Sequence, residues 1–73
     1  MRKIADKFQK RDATIVLKGN ERIDRWISEV QEDRVITYPV GAALLTPSAR
    51  RFREPVRYSQ MLSIVELDPK PVL

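Results

Sequence analysis

Apolar and polar positions change period as this chain is read from its N-terminus. In residues 2–11, Ile4, Ala5 and Phe8 fall at the i, i+1, i+4 spacing of one helical face, with charged side chains on the other. The spacing predicts a short amphipathic helix, too short to hold by itself and therefore lying on another surface. From Ala13 the period drops to two, with Ala13, Ile15 and Leu17 alternating with Thr14, Val16 and Lys18, which is the mark of a strand. Gly19-Asn20 supplies the backbone freedom of a tight turn. A second strand follows from Glu21 to Val30. Ile23 and Ile27 are in phase there and Val30 is not, so a bulge or sharp bend near Ser28-Glu29 is predicted to return Val30 to the core.

Gln31, Glu32, Asp33 and Arg34 read as a polar turn, and Val35 to Tyr38 as a third strand closed by Pro39. Residues 39–55 form a long connection punctuated by Pro39, Gly41, Pro47, Ser48 and Pro55, of a length that is more often functional than idle. Its apolar run Ala42-Ala43-Leu44-Leu45 is expected to be buried against the sheet or a partner. Within residues 56–67, Val56 to Met61 and Ser63 to Leu67 read as two further, nearly continuous strands. The prolines of Asp68-Pro69-Lys70-Pro71 then end regular structure in a tail over 68–73. The result is one domain over 1–73, mainly β. Its expected architecture is a small five-stranded bent antiparallel barrel, SH3-like or Sm-like in its order of elements, with a short N-terminal α-helix.

Size turns this reading toward assembly. A chain of 73 residues lies near the lower limit for a single self-sufficient core, where a disulfide, a metal or an oligomer interface usually helps. There is no Cys and no His, which leaves oligomerisation, and a short meander cannot hide its own edges. The same absences remove thiol and imidazole nucleophiles, the usual zinc sites and any His-centred triad. No enzymatic activity, cofactor or metal is expected. The acidic cluster Glu29, Glu32 and Asp33 reads as a solvated turn. No apolar run reaches membrane-spanning length, and the N-terminus lacks the apolar centre of a signal peptide, so a cytoplasmic location away from membranes is expected. The formal net charge is +4, unevenly spread: residues 1–12 hold five basic and two acidic side chains, residues 50–57 four and one, residues 18–34 four and five. Positive charge on both flanks of the central segment can attract phosphate backbones.

The segments Ile15-Val16-Leu17, Gly19-Asn20, Ile23, Ile27, Val30 and Val35-Ile36, followed by Arg57 to Val65, resemble the Hfq family of bacterial Sm-like RNA chaperones. The resemblance covers roughly residues 7–38 and 56–67, skips the long connection, and is carried by hydrophobic pattern and register. It implies a homo-oligomeric ring closed by the fourth strand of one subunit on the fifth of the next, and binding of RNA or single-stranded DNA. Tyr58 is kept from the family's motif, and Lys7 and Lys10 stand near its basic positions at the end of the helix. Arg25 replaces the glycine at the bend of the second strand, Ser59-Gln60 replace the Lys-His of the uridine rim, and Asp33 replaces the stacking aromatic. Val16 and Glu21 occupy the adenine-pocket positions. With these departures the family's RNA pockets are not expected, and the pattern suits a divergent member of phage or metagenomic origin.

Candidate contacts are therefore taken from the residues themselves. Arg50, Arg51, Phe52, Arg53 and Arg57 combine guanidinium forks with a ring that can stack on bases; the competing reading is a solvated loop paired with Glu54 or with a neighbour's acidic turn. Tyr58, Ser59 and Gln60 offer hydrogen bonds to a base edge, or simply line a strand interface. Trp26, on the face opposite Ile23 and Ile27, reads first as a packing residue and second as a stacking platform. The alternative to nucleic-acid binding is an SH3-like interaction or assembly module, such as a viral structural component or an inhibitor of a host protein.

Overall fold

The chain enters through α1 (Arg2–Asp6) and forms β1 (Arg11–Leu17), β2 (Arg22–Val30) and β3 (Arg34–Pro39). It finishes with β4 (Glu54–Arg57), a 3-10 turn (Tyr58–Gln60) and β5 (Met61–Glu66). This computed structural model describes residues 1–41 and 51–67. The strands make one five-stranded sheet in the order β4-β3-β2-β1-β5, with every pairing antiparallel. The protein is thus mainly β with a short N-terminal helix.

β4 and β5 are consecutive in sequence yet stand at opposite edges of this sheet. In a flat sheet the two edges would lie about 19 Å apart. The single 3-10 turn between them rises only about 2 Å per residue, roughly 8 Å in all. The sheet must therefore curl until its edges come close at that end. Curling is not closure: the expected barrel is an open sheet, because no pairing joins β4 to β5.

Local sequence explains the curl. At the β1–β2 hairpin Asn20 N–H donates to the Leu17 carbonyl at 3.0 Å, with Gly19 at φ 90° and Asn20 at φ 64°, backbone angles that glycine and asparagine tolerate best. Between β2 and β3 the register slips between Ile27 and Glu29, so that Ile27 faces Thr37 while Glu29 faces Ile36. This is the bulge that the broken alternation predicts, and beyond it Val30 packs against the core.

The core lies on the inner face of the curl. Ala13, Ile15, Ile27, Val35, Val56, Met61 and Ile64 pack there with Ala5 and Phe8 from the N-terminal segment. Arg25 is the exception among the inner positions of β2. It stands opposite Ala13, whose small side chain leaves room, and its own side chain is only 16% exposed. Its Nε donates to Thr37 Oγ1 at 3.1 Å and its Nη2 to the Phe52 carbonyl at 2.9 Å. Thr37, fully buried, passes its own hydroxyl hydrogen to the Glu54 carbonyl at 2.7 Å. A buried guanidinium needs such partners, and here they fasten the segment entering β4 to the sheet.

Two boundaries differ from the sequence reading. The helix expected over 2–11 is five residues long, and the chain continues in turns through Lys10. The Ala5–Phe8 spacing is met by a tighter turn, in which Phe8 N–H donates to the Ala5 carbonyl at 2.9 Å. Lys10, at φ 59°, then donates its N–H to the Ile27 carbonyl at 2.6 Å and delivers the chain into β1. The strand expected over Val56 to Met61 ends at Arg57: Tyr58 N–H still donates to the Asp33 carbonyl at 3.0 Å, and Met61 N–H then donates to the Tyr58 carbonyl and closes a 3-10 turn. Ala42-Ala43-Leu44-Leu45, Arg50 and the tail over 68–73 lie outside the described residues.

Candidate nucleic-acid interface

The basic residues of the two flanks occupy separate places. Lys7 and Lys10 are exposed in the turns after α1, beside Arg11, whose guanidinium carbon lies 5.4 Å from the centre of the Phe8 ring. Arg11 also reaches Glu66 at 3.3 Å, so one end of β5 is tied to the segment leading out of the helix. Arg51, Phe52 and Arg53 are exposed just before β4, and the Phe52 side chain, 59% exposed, is free to meet a flat partner while its carbonyl is held by Arg25. Arg57, exposed on β4, stands in register with Arg34 on β3. Arg50 lies outside the described residues.

Tyr58 is half-buried. Its hydroxyl donates to the Gln31 carbonyl and its ring packs against the core, so it joins the 3-10 turn to the β2–β3 turn. Burial pushes its phenol above the ordinary value of 10.0, with Arg2 opposing. Ser59 and Gln60 remain exposed and line a groove of about 390 Å³. Leu17, Ile23 and Val56 supply its apolar lining, with Lys18, Glu21 and Glu54 around them. Its charges are of both signs, unlike the arginine-rich ground around Arg57.

The β2–β3 turn is tied internally. Arg34 donates Nε to Asp33 Oδ1 at 3.0 Å and Nη2 to Oδ2 at 2.8 Å, a two-pronged contact that guanidinium geometry favours. That hydrogen bond holds the Asp33 carboxyl below its ordinary range. Glu32 pairs with Arg2 at 3.3 Å. Both acids thus meet cations of the same chain, and among the described residues no group of three or more potential ligands could hold a metal ion.

Sequence reasoning missed two arrangements. One is the Arg25–Thr37–Glu54 network, whose signal is a charged residue at an inner position of β2. The other is the pairing of Trp26 with Tyr38, directly opposite each other on β2 and β3, with ring centres 6.4 Å apart and planes inclined at 51°. Its signal is the bulge: one extra residue in β2 moves the partner of Trp26 from Pro39 to Tyr38. No helix among the described residues is long and apolar enough to cross a membrane. No family model, curated protein or solved structure matches this chain.

Proposed function

We propose that this chain is a non-catalytic, Sm-like module that assembles with copies of itself into a ring and binds single-stranded nucleic acid, RNA in preference to DNA. The strand order carries the reading: β4 and β5 are the two edges of one curled sheet, and among the described residues no strand covers either. A bare edge presents a row of backbone donors and acceptors to any strand that can pair with it. β5 adds Leu62 and Val65, 50% and 39% exposed. Pairing of β4 with the β5 of a neighbour is a head-to-tail contact, and such contacts close into rings when the rotation allows. For 73 residues without cysteine, two such interfaces add the burial that a small core lacks.

Attraction to phosphate would come from Lys7 and Lys10 on one side and from Arg50, Arg51, Arg53 and Arg57 on the other, with Phe52 available to a base. The preference for RNA rests on the resemblance to Sm-like chaperones. The test is a titration of fluorescent oligo-U, oligo-A and single-stranded DNA at two salt concentrations. Replacing Arg53 and Arg57 together by Ala should weaken binding and flatten the salt slope by about 1.4, at roughly 0.7 per lost phosphate contact on a single strand, while leaving the assembled mass unchanged. Absence of binding at low salt would contradict the nucleic-acid reading. It would favour the SH3-like interaction module instead, for which the mixed-charge groove beside Ser59 and Gln60 is the natural contact surface.

A further inference from the structure

The aromatic pair on the outer face of the sheet is the feature least explained by folding. Trp26 and Tyr38 sit on neighbouring strands in direct register, on the side away from Ile27, and neither belongs to the core cluster. Both are half-buried, so each ring keeps part of its surface toward solvent. Buried packing would hide them, and an ordinary solvated face would not carry the only tryptophan of the chain opposite a tyrosine.

The ground around the pair carries arginines toward both of its ends, among carboxylates. Counting along the pleat, Arg34 lies on the same face of β3 as Tyr38, about 13 Å away, with its guanidinium held by Asp33, and the exposed Arg57 lies beside it. On β2, Arg22 shares the face with Trp26 two pleats in the other direction. The face also carries three carboxylates: Glu29, exposed and opposite Ile36, and two that are hydrogen-bonded to neutral donors. Asp12, opposite Trp26, accepts from Gly41 N–H at 2.9 Å, and Asp24 accepts from the Thr14 hydroxyl at 2.7 Å. Rings at the centre with guanidinium groups toward either end make a surface on which bases stack while phosphates meet arginine.

We propose that Trp26 and Tyr38 form a stacking platform for bases of single-stranded nucleic acid, with Arg57 toward one end and Arg22 toward the other holding the adjoining phosphates. The proposal rests on the nucleic-acid reading above and names the surface that performs it: the outer face of the sheet, in addition to the basic flanks. Stacking requires exposed bases, so the platform binds single strands and rejects a duplex or an abasic chain of equal charge.

Because Trp26 is the only tryptophan, its fluorescence reports on the site in the unaltered protein. Unlabelled oligo-U and oligo-A are titrated against that signal at low salt, beside an abasic oligomer of the same length and a duplex, while the anisotropy of a labelled oligomer measures binding independently. The expected result is quenching by the single strands, little by the duplex or the abasic chain, and affinity lowered about 5- to 150-fold in Trp26→Leu or Tyr38→Leu. Trp26→Phe should recover most of the affinity. Should the leucine variants fail to fold, the abasic comparison in the unaltered protein decides. Binding seen by anisotropy with unchanged fluorescence, or equal binding of the abasic chain, overturns the platform and leaves the basic flanks as the site. No binding of any oligomer at low salt overturns both.

Discussion

The inner and outer faces of this sheet use the same strands and obey different rules. On the inner face Ile15, Ile27 and Val35 are fully buried and meet Ala5 and Phe8, so shape and volume decide what fits. On the outer face Thr14 meets Asp24 and Trp26 meets Tyr38, beside the buried Val16 and Ile36, so hydrogen-bond partners and ring orientation decide along with burial. The difference teaches where to look for each property. A lost methyl group inside should be felt as stability, and under the proposed function a lost ring outside should be felt as binding. Arg25 and Thr37 mark the exception, a polar contact placed within the inner face to anchor the approach to β4.

The contrast can be broken from the inside. Ile27→Ala should cost about 2–5 kcal/mol, read as a lower midpoint in urea, and a loss below about 1 kcal/mol would mean that the inner face is not close-packed. A smaller effect is expected from Thr37→Val, which keeps the shape but removes the hydroxyl between Arg25 and Glu54. It should cost about 1–3 kcal/mol, and hydrogen exchange should increase first in β4. If exchange rises uniformly instead, the anchoring role assigned to this network fails. The smallest effect has the opposite sign. Lys10→Gly relieves a left-handed backbone at φ 59° and should raise stability by about 0.5–1 kcal/mol while weakening oligonucleotide binding. A stability gain with unchanged binding would remove Lys10 from the interface.

Features of the fold set by neighbouring residues were legible in the sequence. The strand over Ala13 to Leu17, the Gly19-Asn20 turn and the phase break before Val30 each follow from local geometry and appear in the structure, although Thr14 and Val16 are buried alongside Ala13 and Ile15. Boundaries set by distant partners were not legible. The segment from Val56 to Met61 contains no glycine or proline to mark a break, and the 3-10 turn at Tyr58 is tied by the Tyr58 side chain to Gln31, twenty-seven residues earlier. The helix was read too long because a tight turn buries Ala5 and Phe8 as well as a helix does. In the candidate site, charge could be placed from the sequence, whereas the hydroxyl bond of Tyr58 to Gln31 depends on the fold. The Trp26–Tyr38 pairing was implicit in the predicted bulge but needed the register to be counted through it.

The central claim is the proposal that the two sheet edges, which no strand among the described residues covers, are covered by copies of the same chain. Light scattering on the eluting protein, at several loading concentrations and beside the variant Leu62→Lys, tests it most directly. The account predicts a mass that is a fixed multiple of the 8.5 kDa chain, constant on dilution, and a shift toward monomer when a charge is placed on the β5 edge. A monomer at every concentration in the unaltered protein would contradict it.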